Sequence, residues 1–199
     1  SLYNELEDQR GVQCVWGFPN NNSHYGFVKK LKWVDLGVIN HLVKKVNDIE
    51  GVTNSQIAEI YNFNDQDVTI FKDISSAFPI SVHRDKNYLN WRYVANPSVK
   101  YRIFKVYKGE KPGYIVVKLY PSKSLNKYGL FICELGIRDL SEFSDIIEHI
   151  ISSYKESIDM VYIWISLWDS RYFLLEKLGF SLSGFPTYFS QRSSGINPL

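Results

Sequence analysis

Six apolar residues, Phe143, Ile146, Ile147, Ile150, Ile151 and Tyr154, recur at i, i+3, i+4, i+7, i+8 and i+11. Only the helical period places them on one stripe. Asp145, Glu148 and Ser152 lie off it. Leu130 to Ile137 before this helix and Met160 to Ser166 after it read as strands, the second buried. Beyond them, Ser170 begins a helix over Tyr172, Phe173, Leu174, Leu175 and Leu178. Gly179 ends it, and Tyr188-Phe189 sits in a last strand.

Upstream, residues 2–10 read as a short helix closed by Gly11, and Val12 to Phe18 as a strand. A Pro19-Asn20-Asn21-Asn22 turn follows, and Ser23 can cap a helix running to about Leu31. Trp33 to Val46 reads as one or two strands bent at Gly37. Residues 47–67 are polar, and Thr53-Asn54-Ser55-Gln56 is a capping-box pattern leading into Ile57, Ile60 and Tyr61. This predicts a linker carrying a short helix. Val68 to Phe71 reads as a short strand. Asp85 can cap a helix carrying Tyr88, Leu89, Trp91 and Arg92, which Asn96-Pro97 stops. Tyr101 to Tyr107 and Gly113 to Tyr120 form a hairpin across Lys108 to Pro112.

Composition narrows the function classes. The 199 residues are 45% hydrophobic and 22% charged, with a net charge of +2. That is globular composition, with too little charge to imply nucleic acid or a membrane surface. Apolar runs reach only about seven residues, too short to span a bilayer. Aromatic residues make up 16%, enough for a large aromatic core or a ring-lined cleft. Cys14 and Cys133 lie in apolar strand-like runs and read as buried small hydrophobes in a reduced, cytoplasmic protein. His24, His41, His83 and His149 show no metal spacing. Lys29, Lys30, Lys32, Lys44 and Lys45 form a basic patch, read as a solvated face. Hydrolase, nucleotide-phosphate and dinucleotide motifs are absent.

The two ends of the chain resemble each other at an offset of 147 residues. Helix, Gly11, strand and a helix ending Lys30-Leu31-Lys32-Trp33 match helix 142–155, strand 160–166 and a helix ending Lys177-Leu178-Gly179-Phe180. The expected organisation is therefore residues 1–46 as the C-terminal part of a first unit, 47–67 as linker, and 68–195 as a complete second unit, with the chain starting inside a domain.

The element order of the second unit and its Glu176-Lys177-Leu178-Gly179-Phe180 ending resemble the GCN5-related N-acetyltransferase superfamily. Gly17-Phe18-Pro19-Asn20-Asn21-Asn22-Ser23 with Lys30-Leu31-Lys32-Trp33, and Leu89-Asn90-Trp91-Arg92-Tyr93 with Pro97 and Tyr101, are similar to two-domain proteins of that kind. The resemblance implies an α/β (α+β) fold with a mixed central sheet flanked by helices. It also implies acyl-CoA, acetyl-CoA or another, in a wedge between the fourth and fifth strands. A glycine loop after the fourth strand would cradle the pyrophosphate. Ile137 to Ser144 departs from that loop: it has no glycine, and Asp139 and Glu142 would repel phosphate. The tyrosine that often protonates the leaving thiolate falls at Leu175 in the second unit and at Val28 in the first.

Candidate site residues follow. Glu134, on the fourth strand, is the candidate catalytic base. Asn21, Asn22 and Ser23, after Asn20, could meet the pantetheine arm. Trp91 and Tyr93, with Arg92, could line a substrate cleft. The expected activity of the full-length protein is N-acetyl transfer to a small-molecule or peptide amine, the second unit being degenerate in CoA binding. A non-catalytic binding or scaffold module is the alternative, and a relative of aminoacyl-tRNA-dependent transferases a third reading. No metal, nucleic acid or membrane partner is expected, and a homodimer is left open.

Overall fold

A computed structural model describes residues 5, 8, 11–46, 56–76, 81–107, 112–122, 126–184 and 186–193. In chain order the elements are β1 (Cys14–Gly17), α1 (Asn21–Tyr25), a π-helical turn (Gly26–Lys30), β2 (Val34–Lys45), β3 (Ile57–Ile60), α2 (Asp65–Ser75), α3 (Lys86–Tyr93), β4 (Tyr101–Val106), β5 (Gly113–Pro121), β6 (Tyr128–Gly136), α4 (Phe143–Ser152), β7 (Ile158–Ile165), α5 (Arg171–Lys177), β8 (Ser181–Leu182) and β9 (Thr187–Ser193). They fall into two compact units. Unit 1 is Ser1–His41, Ile165–Asp169 and Leu182–Leu199; unit 2 is Leu42–Trp164 and Ser170–Ser181.

Unit 1 is built around β9. It pairs antiparallel with β1 on one side, Trp16 opposite Gln191, and with β2 on the other, Val38 opposite Tyr188. A register shift at Asp35/Gly37 supplies the bend expected at Gly37. Asn20, not Ser23, is the N-cap of α1. Its side chain accepts from the Asn22 and Ser23 amides, both at 3.1 Å, and Ser23 is the third-position partner of a capping box. After the π-turn, Lys32 takes φ 60°. Gly179, after α5, takes φ 84°. These residues are 147 positions apart (179 − 32), so the offset seen in sequence aligns two left-handed helix exits.

Unit 2 carries a mixed sheet. β3, β4, β5 and β6 pair antiparallel in succession, and β6 pairs parallel with β7. Alternation along the strands makes two buried faces. On one, Ile103, Tyr114 and Val116 pack with Phe63, Ile70 of α2, and Leu89 and Tyr93 of α3. Asn90 fastens α3 to the loop before α2: its Oδ1 accepts from the Phe63 amide at 2.9 Å, and its Nδ2 donates to the Phe63 carbonyl at 3.0 Å. The predicted helix stripe is fully buried. Phe143, Ile146, Ile147, Ile150 and Ile151 of α4 are all at most 1% exposed. Tyr154, just past α4, packs edge-on against Phe104 of β4.

Two predicted elements are corrected. Ile57–Ile60, expected in a linker helix, is β3, paired with Ile103–Val106 of β4. Val68–Phe71, expected as a strand, lies inside α2. Asn64 caps that helix through a box with Asp67. The buried stripe Asp67, Ile70, Phe71 and half-buried Ile74 has helical spacing. A carboxylate at one stripe position hid the period. Thr53, Asn54 and Ser55 lie outside the described residues, as does the predicted helix 2–10 except for helical Glu5 and Asp8. Among the described residues no helix is long and apolar enough to cross a membrane.

Candidate functional site

The sheet of unit 2 opens where β6 leaves β7. Their parallel pairing runs to Ile132 opposite Ile163 and stops there, while β5 stays paired with β6 as far as Gly136. At the same point the β5 register jumps from Val116–Glu134 to Val117–Ile132, leaving Cys133 as the extra residue of a β-bulge. A bulge bends its strand and re-aims the side chains beside it. Here it separates Leu135 and Gly136 from β7 and turns Glu134 towards α3.

Glu134 sits in a three-part contact. Arg84, in the segment before α3, places Nε 2.9 Å from Oε1, and the Tyr93 hydroxyl donates to Oε2 at 2.6 Å. Both partners of the ion pair are mostly buried, with side chains 22% and 13% exposed. Arg84 also lies 4.9 Å over the ring of Phe71 in α2, so the guanidinium bridges helix and sheet. Burial and the Glu134 charge both push the Tyr93 phenol far above its ordinary range, so it acts as a donor and not as a phenolate. Burial is the strongest single influence on Arg84 and pulls it down, but the charge and hydrogen bond of Glu134, with Tyr114 and Tyr93, together carry it upward. Tyr114 on β5, only 1% exposed, shares this interior, and burial pushes its phenol up too. Deeper in the same unit, Asp67 pairs with Lys105 at 2.7 Å and accepts from the Asn64 amide at 2.8 Å.

Sequence reasoning named Glu134 as a candidate base and Tyr93 as a candidate cleft residue, and the structure brings the two together. It does not bring Trp91 with them. Trp91 is 66% exposed on α3, its ring against that of Tyr88. Asn21 and Asn22 open α1 in unit 1 with exposed side chains. The Ser23 hydroxyl is spent on Asn20, accepting from its amide at 3.1 Å. Arg84 was missed. Nothing in its local sequence, Val82-His83-Arg84-Asp85, marks it as the cation that meets β6. Cys14 corrects a second expectation. It is exposed, not buried, and its thiol contacts Gln191 Oε1 at 3.2 Å. Cys133 is half-buried beside Glu134, and burial pushes its thiol up to about 11.

The residues of the wedge and of the loop after β6 do not fit an acyl-CoA. Arg138 turns away from α4: its guanidinium donates to the Asp73 carbonyl at 2.8 Å and lies 3.5 Å from the Asp73 carboxylate. Asp139 folds the loop on itself, accepting from the Ser141 amide at 3.1 Å and hydroxyl at 2.7 Å. Glu142 occupies the N-cap of α4 and Asp145 its first turn. Three carboxylates thus stand at the helix end where a pyrophosphate would need free amides and positive potential. Inside the wedge, Arg171 of α5 donates to the Leu135 carbonyl of β6. A backbone group on the splayed strand is therefore already taken. Among the described residues no cluster of three or more His, Cys, Asp or Glu could hold a metal ion.

No family model and no curated protein matches this chain. Solved structures do. A GCN5-related N-acetyltransferase from Anabaena variabilis superposes with a TM-score of 0.65 over 96% of this chain, at 12% identity. The chain has the GCN5-related N-acetyltransferase fold. A probable N-acyltransferase from Enterococcus faecalis, of unknown function, gives 0.63 over 93% at 13% identity, and an acetyltransferase of the same fold from Kribbella flavida gives 0.60 over 95% at 12%. The chain spans 48%, 46% and 45% of the length of these three proteins. At such identities the likeness is one of fold, and the site must carry any statement about chemistry.

Proposed function

We propose that this chain is part of an N-acyltransferase that moves an acetyl or other acyl group from coenzyme A to an amine, with unit 2 binding the amine and not the coenzyme. The supporting observation is Glu134: a mostly buried carboxylate held by Arg84 and Tyr93 at the bulge where β6 parts from β7. An incoming ammonium would replace the Arg84 guanidinium on Oε1, and the carboxylate would then take its proton as the nitrogen becomes nucleophilic. Tyr93 would keep Oε2 oriented during that exchange. The domain organisation expected from sequence, a partial first unit followed by a complete second one, belongs to this proposal. It is supported by the matched helix exits at Lys32 and Gly179 and by the greater length of the structural relatives.

The test is acetyl transfer to a panel of amines, followed by release of the free thiol. It is run on the chain, on any longer native form of the protein, and on Glu134→Gln in each. A drop of about 100-fold or more in Glu134→Gln supports a base; unchanged turnover removes Glu134 from the chemistry. A second reading, a binding module without catalysis, is favoured by the carboxylates around α4 and by Arg171 on Leu135. Absence of transfer from every form would establish it.

A further inference from the structure

We propose that Glu134, Tyr93 and Phe71 form a seat for an organic monocation, that Arg84 of this same chain fills the seat at rest, and that a ligand bearing an alkylammonium or guanidinium group binds by displacing it. The role of that ligand as acceptor rests on the reading that unit 2 binds an amine; the seat itself does not.

The seat has two kinds of wall. The Glu134 carboxylate supplies the charge, and the Tyr93 hydroxyl, donating to Oε2 at 2.6 Å, fixes its orientation. That leaves Oε1 for the cation, 2.9 Å from Arg84 Nε. The ring of Phe71 supplies the second wall, its centre 4.9 Å from the guanidinium carbon. A ring face attracts a cation through its quadrupole, most strongly where water is excluded. Tyr114 adds a fully buried hydroxyl with no hydrogen-bond partner among the described residues. All of these residues belong to unit 2.

The occupant is weakly fastened. Arg84 comes from residues 81–85, which form neither helix nor strand, and among the described residues no backbone ladder ties them to the sheet. Asp85 starts α3 by accepting from the Tyr88 amide at 2.7 Å, so the helix start does not depend on Arg84. Outside the seat, the guanidinium bonds within its own segment, from Nη1 to the Val82 carbonyl at 3.2 Å. Arg84 can therefore leave as a side chain, with α3 in place. Its attraction to Glu134 is largely offset by the desolvation of both charges, so a competing cation has only a small net advantage to match. The two side chains are 22% and 13% exposed, so the seat reaches solvent.

The walls name the ligand class. A metal ion needs several oxygen, nitrogen or sulfur ligands, and the seat offers one carboxylate. An anion would meet the Glu134 charge with its like, and a neutral group would leave that charge unpaired. An organic monocation satisfies both walls: its N–H groups meet Oε1, and its apolar flank lies on the Phe71 ring. The resident arginine is itself such a group. The consequence is self-competition. The apparent affinity for a ligand is the intrinsic one reduced by the fraction of molecules in which Arg84 has left the seat. A chain without the Arg84 cation should therefore bind small organic cations better than the native chain does.

The experiment needs no acyl donor. Thermal unfolding followed by circular dichroism is run on the native chain, on Arg84→Ala, on Arg84→Gln, and on the double variant Arg84→Gln with Glu134→Gln. Each is measured with about 10 mM methylguanidinium, methylammonium or sodium chloride. Relative to sodium, both organic cations should raise the Tm of the single variants by about 3–5 °C, the shift that a Kd near about 1 mM gives. The native chain and the double variant should move by less than about 1 °C. Arg84→Gln keeps much of the side-chain length and carries the test if Arg84→Ala does not fold. No shift in the single variants, an equal shift in the native chain, or a shift that survives Glu134→Gln overturns the proposal. A response to methylguanidinium alone overturns displacement by an amine. The full pattern, with acyl transfer unaffected by Glu134→Gln, would leave the seat standing and remove the catalytic reading. Transfer that depends on Glu134 without any cation response would do the reverse.

Discussion

Replacing Arg84 by Met should destabilise unit 2 by roughly 2–3 kcal/mol, because it leaves a mostly buried carboxylate without its cation. At the 2.9 Å separation, an effective dielectric of about 20 gives an attraction of about 6 kcal/mol. Desolvation of both groups offsets most of that in the intact pair, so its net worth is small. The variant loses the attraction but keeps the desolvation of Glu134. A fully buried pair broken in this way costs about 3–5 kcal/mol. The 13% and 22% exposure of the two side chains lets some water in and places this case below that range. Urea unfolding followed by circular dichroism reads the change. With a slope of about 2 kcal/mol per molar, the midpoint should fall by roughly 1–1.5 M. The double variant Arg84→Met with Glu134→Gln removes the stranded charge while leaving Tyr93 a polar partner. It should recover at least about 1 kcal/mol relative to the sum of the single changes. An Arg84→Met loss within about 0.5 kcal/mol, or strict additivity in the cycle, would refute the claim that these groups act as one buried unit.

Three further outcomes are expected. Gly136→Ala should cost about 1–3 kcal/mol by thermal or urea unfolding, because the new Cβ would stand 2.6 Å from the ring of fully buried Tyr114. Ellman's reagent at pH 8 should react quickly with exposed Cys14 and slowly with Cys133, whose thiol burial raises to about 11; two equally fast thiols in the folded protein would contradict this placement. The Arg102 hydrogen bonds hold the Glu59 carboxyl below its ordinary range, against the opposing effect of burial. Its contribution is therefore present above the unfolded value of about 4.3 and is lost as pH falls through the lowered folded value. Glu59→Gln should flatten the acid limb of the stability profile by less than about 1 kcal/mol, since Arg102 is 44% exposed; an unchanged acid limb would show that the pair is not coupled to folding.

The parts of this chain legible in sequence are those whose signal is local. The α4 stripe, the β4–β5 hairpin and the Asp85 cap each follow from the spacing of a few neighbouring residues, and each stands where the spacing puts it. α2 escaped because Asp67 occupies a stripe position that an apolar residue would have made visible; the carboxylate there closes the capping box with Asn64 and pairs with Lys105 of β4. β3 escaped because Thr53 to Gln56 has the composition of a helix cap, while the four residues after it are claimed by β4, more than forty residues on. The candidate site divides in the same way. Glu134 and Tyr93 were candidates because of their places on the fourth strand and on the helix capped by Asp85. Arg84, Arg171 and the bulge at Cys133 come from contacts between distant segments, which no spacing rule encodes. The loop after β6 was the most informative stretch. Its missing glycines, with Asp139 and Glu142, led to the expectation of a helix start unsuited to phosphate; Asp139 there accepts from the Ser141 amide, and Glu142 is the N-cap of α4.

The measurement that bears most directly on the account is titration calorimetry of coenzyme A and acetyl-CoA against this chain. The account predicts no saturable heat, with any Kd weaker than about 1 mM, because Arg138 is engaged by Asp73, carboxylates surround the start of α4, and Arg171 holds the Leu135 carbonyl. One-to-one binding with a Kd near about 10 μM would contradict it and return the coenzyme site to unit 2.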